Sequence, residues 1–200
     1  MTRRDLLRAG VLGSGAVGIA VLAHGSHRFA FTGSPVTPRP APALALSDDE
    51  GGQFDLAQQL GRLVLVYFGY IACPDVCPTT LGALAQVRDQ MGQAAARVRT
   101  VFVTLDPARD TAAVLRPYLA NFADAAGQAP LGLTDTTKRV ADTARAWDIT
   151  WRHAEGMFID HSSVVTVVAP DGTLALRYGF SQLGEPASVA RDLRHVLEGA

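Results

Sequence analysis

Residues 63–81 read LVLVYFGYIACPDVCPTTL and hold both cysteines of a 200-residue chain. The first eight residues form an unbroken β-branched and aromatic run, the mark of a strand covered on both faces. Beyond the cysteines, Leu81, Leu84, Val87 and Met91 recur at helical spacing, which predicts a helix from Pro78 to about Gln93. Pro78 suits the first helical position, where its missing N–H is not needed. The cysteines therefore fall where a buried strand hands over to a helix. If the chain turns helically between them, Cys73 and Cys77 share one face with Cβ atoms about 5–6 Å apart. A small backbone adjustment then permits a disulfide or joint ligation of one ion. The helix N-terminus nearby favours thiolate over thiol. At this point the pair reads as a disulfide switch, part of a metal site, or packing.

Working outward, residues 98–105 (VRTVFVTL) predict a second buried strand. Asp110 and Thr111 offer N-caps for a helix through Val114, Leu115, Tyr118, Leu119 and Phe122. Thr134 or Asp135 caps another, through Val140, Ala144 and Trp147. Residues 162–179 (SSVVTVVAPDGTLALRYG) read as strand, Pro-Asp-Gly turn and strand, a β-hairpin. Pro186 then opens an amphipathic helix carrying Val189, Leu193 and Val196. Residues 47–56 (SDDEGGQFDL) read as a turn or short hairpin ahead of the first long strand. The order β-α-β-α-α-β-β-α predicts an α/β domain of thioredoxin-like architecture, a mixed central sheet with helices on both faces. Both cysteines then lie at the carboxyl end of the sheet, where open α/β sheets place their chemistry.

Composition supports a real core, with 48% hydrophobic and 18% charged residues, and the net charge of −1 gives no reason to invoke nucleic acid. The N-terminus is not part of the domain. TRRDLLRAG, residues 2–10, resembles a twin-arginine export signal. The uncharged run behind it, residues 9–23, reaches only about 22 Å as a helix, short of the roughly 30 Å of a hydrocarbon core. A signal peptide fits better than a full span, although an N-terminal membrane anchor within residues 1–30 stays open. Arg3, Arg4 and Arg8 place the N-terminus inside and the remainder on the periplasmic side, soluble or anchored. Residues 34–42, SPVTPRPAP, carry four prolines and read as a semi-rigid tether within a 31–43 linker. Residues 44–200 form the exported domain.

Five histidines compete to complete a site with the cysteines. His24 and His27 lie at the processing region and His195 on the last helix. His153 reads as a solvated surface residue. His161 comes just before a buried strand, on the rim where neighbouring strands end. Asp106, Arg109 and Asp110 follow the second strand and face the same rim, where helix capping and turn formation are sufficient roles. Asp75 reads as solvated, or as negative charge offered to a partner. Met157 is a candidate soft ligand for which packing is the preferred role.

The segments YFGYIACPDVCPTTL, VFVTLDPARDT, GLTD and DHSSVVTVVAPDG, in that order and spacing, resemble the SCO/SenC family of copper-binding, thioredoxin-fold proteins that assemble cytochrome c oxidase. The resemblance runs from about Leu44 to Leu197. It implies that Cys73, Cys77 and His161 are copper ligands and that Asp106 orders the metal loop from behind. It also implies a metallochaperone rather than an enzyme, delivering copper to the CuA centre of cytochrome c oxidase subunit II or to another exported cuproprotein. Two thiolates and an imidazole suit Cu(I) and can hold Cu(II), whereas structural zinc would want a fourth protein ligand. The competing expectation is a thiol–disulfide oxidoreductase using Cys73 and Cys77, served by a thioredoxin-like reductant. Thioredoxin-type enzymes use C-x-x-C and place a proline before the third sheet strand. Here the spacing has one residue more, and residues 132–169 contain no proline. His161 stands near the place such a proline would take, which favours metal.

Overall fold

A strand whose every side chain is apolar or aromatic can hide both faces only if layers cover it on each side. The structure, a computed structural model, describes residues 29–199 and shows that arrangement. The expected signal or anchor, together with His24 and His27, lies outside the described residues apart from Phe29 and Ala30. Among the described residues no helix is long and apolar enough to cross a membrane.

In chain order the strands and helices are β1 (Ser34–Pro35), β2 (Ala45–Asp48), β3 (Gln53–Asp55), β4 (Leu63–Gly69), α1 (Val76–Met91), β5 (Val98–Thr104) and α2 (Ala112–Ala120). They continue with β6 (Leu131–Thr134), α3 (Thr137–Ala146), β7 (Trp151–His153), β8 (Ile159–His161), β9 (Val164–Val168), β10 (Leu174–Gly179) and α4 (Pro186–Glu198). The main sheet runs β1-β10-β9-β4-β5-β6-β2-β3, and β7 pairs with β8 apart from it. β4, β5 and β6 are mutually parallel, while β9 and β10 add antiparallel on the other side of β4. This mixed sheet is the thioredoxin-like core that the element order predicts.

The register sets the layers. Tyr178, Val165, Tyr67, Phe102 and Gly132 are paired in succession across the sheet and so point to one face. On that face Gly132 lies against Leu115 and Leu119 of α2, and the Tyr178 hydroxyl reaches Asp192 of α4. Phe68 points the other way and packs against Trp147 at the end of α3, ring centroids 6.1 Å apart. Helices thus cover both faces.

Three elements differ from the sequence expectation. β6 is a four-residue strand, too short to show a period, yet fully inside the sheet between β5 and β2. The β7–β8 hairpin is built from WRH and IDH, whose polar, exposed faces carry no strand signature. Third, the proline-rich 31–43 segment is not a free tether. Ser34 and Pro35 pair with Arg177 and Leu176 of β10, Val36 N–H donates to Ala175 O at 2.9 Å, and Ala41 N–H to Gly172 O at 3.0 Å. Its prolines need no donors of their own at a sheet edge, and the amides between them supply the ladder.

Asp192 nails this segment down. Its carboxylate has no exposed surface and accepts from the backbone N–H of Thr32 at 2.7 Å and Gly33 at 3.0 Å, and from the Tyr178 hydroxyl at 3.1 Å. Asp192→Ala strands those buried donors, so it should lower the unfolding free energy by about 3 kcal/mol. Urea denaturation reads that loss, and limited proteolysis should cut near Gly33 in the variant before it cuts the wild type.

Candidate metal and thiol site

The site is assembled at the carboxyl end of β4. Helix α1 starts at Val76, two residues earlier than the sequence suggested, with Asp75 as N-cap but without a capping bond from its side chain. Pro78 is therefore the third helical residue, still inside the first turn where no N–H is required. The capping acceptor is instead a sulfur: Cys77 N–H points to Cys73 Sγ at 3.4 Å. Cys77 has no exposed surface, while Cys73 is half-buried, and neither is in a disulfide. Gly69 makes room for the Cys77 thiol. A Cβ there would lie 2.9 Å from Cys77 Sγ and 2.8 Å from Phe102 Cε2.

The His161 ring comes from 84 residues away in the chain, and its Nε2 stands 3.6 Å from Cys77 Sγ. Nδ1 faces the Ser162 carbonyl oxygen at 3.2 Å. A carbonyl can only accept, so Nδ1 carries the proton and Nε2 turns its lone pair toward the thiol. Tyr70 meets the imidazole edge-on, ring centroids 5.9 Å apart. The Cys77–His161 contact is thus formed, and the Cys73 sulfur lies beside Cys77, 3.4 Å from its amide nitrogen. Among the described residues no three His, Cys, Asp or Glu side chains form a preassembled metal cage.

Burial overrides the helix terminus for Cys77. Desolvation is the largest influence on its thiol and pushes it up to about 12, so the thiolate expected from the helix N-terminus is not the resting form. Desolvation also pulls His161 below its usual value, against the Ser162 carbonyl and the Asp160 carboxylate, which favour the cation. At neutral pH the pair is a thiol facing a neutral imidazole. The Tyr67 hydroxyl is buried close to Cys77 and Thr80, yet no geometrically acceptable hydrogen bond satisfies it.

Behind the site runs a chain of polar contacts that sequence reasoning resolved only partly. Asp110, read as a helix cap, is turned inward and 2% exposed. Its carboxylate accepts from Ile71 N–H at 3.0 Å and from the Thr104 hydroxyl at 2.6 Å, so this residue anchors the cysteine loop. Asp106, the residue expected in that role, makes no hydrogen bond to the loop; its carboxylate pairs with the Arg109 guanidinium. Arg109 in turn donates to the Met157 carbonyl at 2.7 Å, on the turn between β7 and β8. The cue for Asp110 was its place in D-P-x-R-D at the end of a buried strand, where a carboxylate turned inward finds backbone donors. Met157, for which packing was preferred, has a side chain 53% exposed at the hairpin turn. His153 and Asp75 face solvent. His195 is exposed too, its ring 5.4 Å from that of Phe31 and far along the chain from the cysteines.

Because only Cys73 is accessible, iodoacetamide near neutral pH should label Cys73 at least about tenfold faster than Cys77, read by fragmentation mass spectrometry. Equal rates would show that Cys77 is not held under Gly69.

Known proteins share the sequence pattern and the fold. The SCO1/SenC family model matches residues 37–198. An SCO2-like protein of Rickettsia conorii is 29% identical over 133 residues, which are 64% of this chain and 63% of that protein. The mitochondrial SCO2 homolog of Homo sapiens is 33% identical over 150 residues, 72% of this chain and 55% of the human protein. The chain therefore spans somewhat less than two thirds of the length of these curated relatives. Among solved structures, apo Sco1 of Thermus thermophilus superposes with a TM-score of 0.73 at 30% identity, covering 85% of this chain and 99% of that one. Copper-bound ScoI of Bradyrhizobium japonicum gives 0.69 at 26% identity, covering 79% and 99%. A family match across more than three quarters of the sequence, with the same fold beneath it, means that this chain belongs to the SCO1/SenC family.

Proposed function

We propose that this protein is a copper metallochaperone that binds copper through Cys73, Cys77 and His161 and delivers it to an exported copper enzyme. The CuA centre of cytochrome c oxidase subunit II is the favoured acceptor. The observation that carries the reading is the 3.6 Å approach of His161 Nε2 to Cys77 Sγ, with the imidazole lone pair on that side. A thiol–disulfide enzyme has no need of that ring, whereas a soft cation does. The solved ScoI of Bradyrhizobium japonicum, with copper bound, supports the choice of cargo.

The donor set fits copper. Copper taken up here displaces the Cys77 proton that faces Nε2. The third donor, Cys73, is half-buried at the loop surface, its sulfur 3.4 Å from the Cys77 amide nitrogen, and completes the set around the ion. A cage that closes only around its ion also opens ligand by ligand, which is what onward transfer requires. The thiol–disulfide reading keeps one supporting observation: both cysteines are free and adjacent across one helical turn.

Titration of the reduced protein should find one equivalent of Cu(I), lost in Cys73→Ala and Cys77→Ala and weakened in His161→Ala. Full affinity in His161→Ala alongside fast disulfide turnover would replace the carrier by the oxidoreductase. Copper affinity should also rise with pH. Cys77 stays protonated up to about 12 in the free protein, so its displaced proton contributes about tenfold per pH unit across the neutral range. The His161 pKa is lowered, so its protonation opposes binding only once pH falls through that depressed value, where the slope should steepen.

A further inference from the structure

The two halves of the site belong to different elements. Cys73 and Cys77 sit on the loop and helix after β4, part of the main sheet, whereas His161 ends the separate β7–β8 ribbon. An isolated two-stranded ribbon is marginally stable in water, so something outside it must hold its position. At its base, Ser162 N–H donates to Thr150 O at 2.9 Å and the two hydroxyls meet at 2.8 Å. Ile159 is buried beneath it. The far end is a solvent-facing turn, with Met157 53% and Phe158 47% exposed, so apolar burial does not fix it.

Arg109 reaches that turn. Its guanidinium presents one arm, Nε, to the Asp106 carboxylate and another, Nη2, to the Met157 carbonyl at 2.7 Å. Asp106 is itself fixed, 5% exposed, with its N–H donating to Thr104 Oγ1 at 2.9 Å. The same Thr104 hydroxyl donates to Asp110 at 2.6 Å, and Asp110 accepts from Ile71 in the cysteine loop at 3.0 Å. A continuous run of hydrogen bonds therefore leads from the loop bearing Cys73, through the end of β5, to the ribbon bearing His161. Arg109 is its last and most exposed link.

We propose that Arg109 is a positioning residue for metal uptake, a two-armed strap that holds the His161 ribbon over the cysteine pair. The proposal rests on the copper-carrier reading above for its consequence, but the strap itself is a property of the free protein. Without it, the turn beyond the buried Ile159 loses its bond to the body of the domain, and His161 spends less time within reach of the cysteine sulfurs. Lysine cannot substitute, because a single ammonium on a flexible stem does not present two diverging planar donors.

The test uses the full chain with Arg109→Gln and Arg109→Lys, neither of which removes a ligand. In the copper-free protein, amide hydrogen exchange across residues 151–161 should quicken by at least about tenfold in both variants, while the β9 amides stay as protected as in the wild type. Unchanged exchange in Arg109→Gln, or full protection restored by Arg109→Lys, overturns the strap. Competition with a chromophoric Cu(I) chelator should then show about tenfold weaker binding in Arg109→Gln. Added to His161→Ala, the same substitution should cause no further loss, since it acts through that ring. An additive loss, or no loss in the single variant, overturns the positioning role. Were the wild type to bind no copper, the carrier reading would fall, and the exchange measurement alone would still decide whether the strap exists.

Discussion

A buried thiol facing a neutral imidazole is the arrangement on which the rest of this site depends. Gly69 has no side chain, so Cys77 can lie against the end of the central strand, out of water. Out of water, the thiol holds its proton and the imidazole sheds its own, for the same electrostatic reason: neither charge is solvated there. The two groups are then complementary as they stand, donor to acceptor, at 3.6 Å. A soft cation replacing the shared proton would inherit a desolvated sulfur and a lone pair already aimed. Under the proposed function, proton and metal would compete for one place, and burial would raise the stakes of that competition.

Much of this was legible in the sequence because its causes are local. The run LVLVYFG has no charged residue and only the Tyr67 hydroxyl to offer water, so a doubly covered strand is the economical reading. The hairpin around Pro170, Asp171 and Gly172 and the helix opened by Pro186 follow from turn and capping chemistry. The meeting of His161 with Cys77 was reached differently, through the resemblance to a known family, since no local rule links residues 84 apart.

What escaped the sequence has physical reasons too. β6 is four residues long, and its identity comes from the neighbours that bury it. The β7–β8 ribbon has polar strands because most of it faces solvent, so it lacks the alternation by which strands are recognised. Asp106 and Asp110 lie four apart and look equally able to cap or turn. Only the fold decides that Asp110 turns inward to the Ile71 amide while Asp106 turns to Arg109. The helix-terminus argument for a reactive Cys77 failed because it weighed a partial charge without the desolvation that accompanies full burial.

The docked proline-rich segment bears on the mechanics of the molecule. Ser34 and Pro35 join the sheet through β10, and β10 and β9 both stand between them and β4. A pull applied along the chain ahead of Phe31 would be taken up as shear on that outer pairing and on the Asp192 carboxylate. Two strands would absorb the load before it reached the sulfur-bearing end of the sheet, leaving the Cys77–His161 contact mechanically insulated from that pull.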